Sequence, residues 1–168
     1  MPNRAAWAEI DLAALRHNYE EIKKNIRGGA KLCAVVKADA YGHGASEIAA
    51  ALRECGCRYL AVACPQEALA LRNAGETMPI LILGAVDAAF ASDMAANDIT
   101  LSVECAEKGR ALSAALRGGE RLRIHLKLDT GMGRLGFRVQ DETALREAAA
   151  VAQLPNLDAE GVFTHFSV

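Results

Sequence analysis

At 168 residues the chain is long enough to bury one sizeable core without disulfides or a structural metal, so one domain is the starting expectation. Nineteen basic against 21 acidic residues leave a net charge of −2 with no basic stripe, which argues against nucleic acid or an anionic membrane as the main partner. An apolar fraction of 52% with only 5% aromatics, much of it alanine, suits small-residue packing in an α/β protein better than a β-sandwich.

The opening MPNRAAWAEIDL lacks the uninterrupted apolar core of a signal peptide, and no later stretch has the apolar length of a membrane span, so a cytoplasmic location is expected. Five cysteines are an odd number, and most lie in or beside apolar runs, which predicts reduced core thiols. Cys55-Gly56-Cys57 has no second pair and no histidine at zinc-finger spacing, so no metal site is expected.

Residues 11–26 carry Leu12, Leu15, Tyr19, Ile22 and Ile26 at spacings of three and four behind Asp11, the pattern of an N-capped amphipathic helix closed by Gly28-Gly29. A strand over 31–36 follows, then the turn KADAYGHG at 37–44 and a helix over 46–54 ended by Gly56. The order repeats with strands over 59–63, 79–83, 99–103 and 122–128, and helices over 65–73, 87–96, 106–116 and 143–154. A last strand over 157–166 makes six in all, each but the last followed by a helix.

This alternation implies right-handed crossovers and a parallel sheet. A doubly wound sheet binds ligand at a switch point, whereas a barrel gathers every strand's C-terminal end into one mouth. No glycine-rich dinucleotide fingerprint opens the first strand–helix turn, which favours the barrel. A whole eight-unit barrel takes about 250 residues, so the expectation is a partial (β/α)8 barrel of about six units whose sheet edges need covering.

A barrel mouth would draw Lys37, Tyr41, His43, Lys127, Asp129, Arg134 and His165 together from positions spread along the chain. A lysine ending a buried strand is either a solvated exit or a group kept for chemistry. In a partly dry pocket its amine has a lowered pKa and attacks aldehydes to form a Schiff base, which points to pyridoxal phosphate. Gly131-Met132-Gly133-Arg134-Leu135-Gly136 formally fits G-x-G-x-x-G, but it follows Asp129 in a loop and carries Arg134, so an anion-binding loop is the better reading.

AVVKADAYGHG at 34–44, HLKLDTGMGRLGF at 125–137 and THF at 164–166 closely resemble the bacterial alanine racemases, and RAAWAEIDLAALRHNY at 4–19 is similar to that family's opening segment. The resemblance implies a pyridoxal 5'-phosphate enzyme with a TIM-type N-terminal barrel that interconverts L- and D-alanine and supplies D-alanine for peptidoglycan. It makes Lys37 the Schiff-base lysine and the acid or base on one face of the substrate α-carbon. It gives Tyr41 the cofactor phosphate, Arg134 the cofactor's phenolate oxygen and substrate carboxylate, and His165 the pyridine ring. Lys127 matches a position that is carbamylated in several members, where the new charge holds the arginine; a simple Lys127–Asp129 pairing is the alternative. His43 has a weaker match and serves to fix the turn; His17 and His125 read as structural.

In that family the opposite-face base is a tyrosine from a C-terminal β-domain, contributed across a homodimer, and further cofactor ligands come from later barrel strands. Residues 1–168 are therefore expected to form an incomplete N-terminal barrel domain holding the Schiff-base half of the site. Competing readings are a racemase of serine or of a broader set of amino acids, a non-catalytic pyridoxal-phosphate-binding barrel, and a folded remnant without ligand.

Overall fold

The computed structural model describes residues 6–167, so Arg4 and Ala5 of the opening segment, and Val168, lie outside it. Helix α1 (Leu12–Lys24) starts where Asp11 accepts the Ala13 and Ala14 amides at 2.8 and 3.0 Å, a side-chain N-cap worth about 1 kcal/mol. Strand β1 (Cys33–Val35) leads into a short turn, α2 (Lys37–Gly42), then α3 (Ala45–Glu54), β2 (Tyr59–Val62), α4 (Pro65–Asn73) and β3 (Ile80–Ile82). After a 3-10 turn at Ala88–Phe90 come α5 (Ala91–Ala96), β4 (Ile99–Val103), α6 (Ala106–Ala115), β5 (Leu122–Asp129), β6 (Phe137–Arg138), α7 (Glu142–Val151) and β7 (Leu157–Thr164).

All strand pairings are parallel, and the order β1-β2-β3-β4-β5-β7 follows the chain. A doubly wound sheet reverses direction at a switch point, and this one never does. The sheet also curls. β2 and β7 are four spacings apart, roughly 19 Å in a flat sheet, yet the Tyr59 hydroxyl donates to Glu160 of β7 at 3.2 Å. The fold is a partial TIM-type barrel, with its helices packed against the convex face.

That convex face holds the core. Leu60, Val62, Ile80, Ile82, Leu101, Leu122 and Ile124 are fully buried beneath the helices, each contributing about 1.5–3 kcal/mol relative to exposure. The six predicted strands all form, with ends that shift by a few residues. β6 was not predicted: it is two residues long and pairs with Leu128 and Asp129, beyond the point where β4 has ended. The cysteines also depart from expectation. All five are free thiols, but Cys57 alone is buried, while Cys33 and Cys105 are exposed. Among the described residues no helix is long and apolar enough to cross a membrane.

Candidate active site

The question posed by Lys37 is answered by the backbone that follows it. Val36 still donates to Ala61 of β2 at 2.8 Å, so Lys37 is the first residue past the sheet. Ala38, Asp39, Ala40 and Tyr41 then wind left-handed, with φ from 51° to 57° and ψ from 35° to 49°. For residues with a Cβ this costs about 1–2 kcal/mol each, so the surroundings must impose it.

Three groups do so. Glu67, in the first turn of α4, accepts the Ala38 amide at 2.8 Å and the Ala63 amide at 2.7 Å, clamping the turn to the end of β2. Asp39 accepts the Ala45 amide at 2.7 Å and ties the turn to α3. His43 Nδ1 donates to the Ala40 carbonyl at 2.9 Å, which is the loop-fixing role expected of it. The turn brings the Lys37 amine within 5.9 Å of the Tyr41 ring centroid, and that ring stands open to solvent.

Glu67 is the clamp whose loss is easiest to read. Glu67→Ala leaves two amides without acceptors and is expected to lower unfolding free energy by about 2–3 kcal/mol in a urea titration, with Glu67→Gln recovering part. A loss below about 0.5 kcal/mol, the ordinary size of a surface change, would remove Glu67 from the account.

A second cluster stands at the ends of β5 and β7. Lys127 is 5% exposed, with its amine 4.6 Å from the Phe163 ring centroid. Burial, and then the nearby Arg134 charge, hold its pKa below the ordinary lysine value, with Asp129 opposing. Asp129 itself is occupied elsewhere: its carboxylate accepts the Gly131 amide at 2.9 Å and the Gly133 amide at 3.0 Å. The amides of Gly131 and Gly133 are thus turned on the protein's own carboxylate, and Arg134 is the loop's cationic group. Neither Lys127 nor Arg134 is ion-paired with Asp129, so the simple Lys127–Asp129 pairing does not form.

The Gly133, Gly131 and Met132 amides, in that order, hold the Asp129 carboxyl below the usual carboxylate range. A depressed carboxylate stabilises the fold above its unfolded pKa of about 3.9 and loses that contribution as pH falls through the folded value. Asp129→Asn is therefore expected to melt below the wild type at pH near 7, the two curves converging as pH falls through the depressed folded-state value. Parallel curves across that range would contradict this role.

Lys127, Asp129, Met132, Arg134, Leu135 and His165 line one shallow pocket, and Thr130 and Thr164 join loop to strand through a 2.7 Å hydroxyl contact. Lys37 and Tyr41 do not line that pocket. They stand on the tip of β1 at the same C-terminal end of the parallel sheet. Sequence reasoning missed Glu67 and Phe163. An acid in a first helical turn reads as a dipole partner, and an aromatic in a strand reads as core. A larger apolar cavity of about 370 Å³ lies between α1 and β1, with Tyr41 and His43 at its rim. Among the described residues no cluster of histidine, cysteine or carboxylate side chains is placed to hold a metal.

Residues 10–168 match the family described as alanine racemase, N-terminal domain. An alanine racemase of Desulforamulus reducens is 45% identical over 96% of this chain, and the chain spans 44% of that relative's length. The structure of the Clostridium difficile 630 alanine racemase, in complex with cycloserine, superposes with a TM-score of 0.93 at 39% identity, over the whole chain and 46% of its own. A histidine racemase from Leuconostoc mesenteroides subsp. sake superposes at 0.87 with 33% identity, over the whole chain and 45% of its own. A strand-end lysine on an enforced left-handed turn, a curled sequential sheet and a family match over nearly every residue lead to one conclusion: the chain belongs to the alanine racemase N-terminal domain family.

Proposed function

We propose that this chain carries the lysine-bearing half of an alanine racemase site, with pyridoxal 5'-phosphate as its cofactor and alanine as its substrate. The observation that carries the proposal is Lys37, presented on the tip of β1 by a left-handed turn that only a cluster of specific hydrogen bonds sustains. The donor set fits the cofactor. Among the described residues none of Lys37, Lys127 and Arg134 is ion-paired, which leaves cationic donors for a phosphate, a phenolate and a carboxylate.

When bound, pyridoxal 5'-phosphate supplies an aldehyde for an amine and a conjugated ring that withdraws electrons from the substrate α-carbon. Lys37 would hold it through Nζ and, once released by substrate, would take the α-proton on that nitrogen or return it. Tyr41, whose ring centroid lies 5.9 Å from the Lys37 amine, would donate its hydroxyl to the phosphate. Arg134 would orient the phenolate and the substrate carboxylate, and His165 would bear on the pyridine ring.

Lys127 has a supporting part in this reading. Its lowered pKa enlarges the neutral fraction, the form whose nitrogen bonds to carbon dioxide while its proton leaves to solvent. The resulting carbamate would give Arg134 the acceptor that Asp129 does not provide. Isotope-labelled bicarbonate should then give a carbamate signal in NMR that Lys127→Gln lacks; identical spectra would leave Lys127 as a plain amine.

A homodimer is the proposed assembly, supported by the exposed Tyr41, Met132 and Phe166 near the strand ends. A cytoplasmic role in supplying D-alanine for peptidoglycan follows from the family reading. The likeness to a histidine racemase supports a second reading, in which the amino acid is another one. Exchange of the α-hydrogen in heavy water, followed by NMR with cofactor present, tests both. Alanine should exchange faster with the chain than with free cofactor. Exchange of serine or histidine in its place would move the substrate, and exchange equal to free cofactor for every amino acid would overturn the catalytic reading.

A further inference from the structure

Strand β7 does not run evenly along β5. Ile124 lies opposite Ala159, but the next residue, His125, lies opposite Gly161, so Glu160 is one residue too many and the register shifts there. This is a bulge, with two residues facing one across a parallel pair. Its consequence is one of parity, because side chains alternate between faces of a strand. Ahead of the bulge the even-numbered Asp158 shares a face with Arg123; beyond it the odd-numbered Phe163 shares a face with Lys127. Without the extra residue, the register would put Val162, which now lies opposite Leu126, against Lys127 in place of Phe163.

The bulge is held by a polar cluster inside the curl of the sheet. Glu160 accepts the Thr100 hydroxyl at 3.0 Å and the Tyr59 hydroxyl at 3.2 Å, and its carboxylate lies 3.3 Å from His125 Nε2 and 4.0 Å from Arg123 Nε. Thr100 is fully buried, and burial pushes the Tyr59 phenol up to about 12, so that hydroxyl remains a donor across the working pH range. The next residue completes the lock. A Cβ at Gly161 would come within 3.1 Å of the His125 ring, so glycine lets the strand close on β5 there.

We infer that Glu160 is a positioning residue: by anchoring the β7 bulge to β2, β4 and β5 it turns Phe163 beneath Lys127 and sends His165 into the pocket with Arg134. Neither Phe163 nor His165 touches Glu160 in the hydrogen-bonding pattern; the effect travels through the register of one strand. The purpose assigned to this placement rests on the proposed cofactor reading, but the placement itself does not.

The test therefore uses no cofactor. The chain is treated with limiting acetic anhydride, and mass spectrometry follows acylation of Lys127 against the exposed Lys24 and Lys31 as internal references. Lys127 should label slowly in the wild type, because it is buried. Glu160→Ala should raise its relative rate by about tenfold, and Glu160→Gln, which keeps an acceptor oxygen, should stay within about twofold of wild type. Should Glu160→Ala not fold, the Tyr59→Phe, Thr100→Val double variant removes two donors from the same carboxylate and is expected to expose Lys127 alike. Lys127 remaining as slow as wild type in a folded variant of either kind would overturn the inference. General loss of stability is read separately by urea titration, and a Lys127 rate that rises only in proportion to the unfolded fraction so measured would also overturn the inference; a failure of the cofactor reading would leave this labelling result unchanged.

Discussion

Lys37→Ala is expected to abolish alanine α-hydrogen exchange, bringing it down by about a thousandfold to the rate of free cofactor, since positioned acid–base groups contribute about 10²–10⁴. Lys37→Arg should fail equally, because a guanidinium stays protonated and offers no lone pair for either the aldehyde or the α-proton. The loss should be chemical and not structural. The turn that follows Lys37 is held by Glu67, Asp39 and His43, none of which bonds the lysine side chain. Both variants should thus melt with the wild type. Exchange at the wild-type rate in Lys37→Ala would place the reacting amine elsewhere.

Gly136→Ala should be the most destabilising single-methyl change in the loop. Gly136 sits at φ +121°, and a Cβ there would lie 2.7 Å from the Lys127 carbonyl oxygen and 2.8 Å from the Asp129 nitrogen. Those atoms belong to the backbone of β5, between β4 and β7, and have nowhere to go. A cost of about 3 kcal/mol or more follows, with β6 lifted from β5 and Arg134 released from the pocket. Gly118→Ala is the control: its φ is +62° but open space surrounds it, so only the conformational penalty of about 1 kcal/mol applies. Equal shifts of the two variants in urea titrations would show that close approach does not govern Gly136.

Much of this architecture is legible in the sequence because its signals are local. The apolar stretches that form β2, β4 and β5 run into cysteine or charge, and helices such as Pro65–Asn73 announce their starts. Lys37 stands out for the same reason, as a cation where a buried strand should remain apolar. What escaped was set by distant partners. Ala38 to Tyr41 have no preference for left-handed backbone, and the acceptor that helps hold them, Glu67, lies 29 residues further along. Two residues of β6 carry no period, and their pairing depends on Gly136 hugging β5. The capture of the loop amides by Asp129 was within reach, since aspartate bonding amides two and four residues on is turn chemistry. The β7 bulge was not: alternation in 157–166 looks regular until the register against β5 is known.

The most direct test of the central claim is to locate the cofactor bond. Pyridoxal 5'-phosphate is added to the wild-type chain, the mixture is reduced with borohydride, and peptide mass spectrometry assigns the modified lysine. The account predicts one dominant adduct, on Lys37, together with an absorbance band that borohydride removes. A dominant adduct on another lysine, or adducts spread over exposed lysines such as Lys24 and Lys31 with Lys37 unmodified, would contradict it.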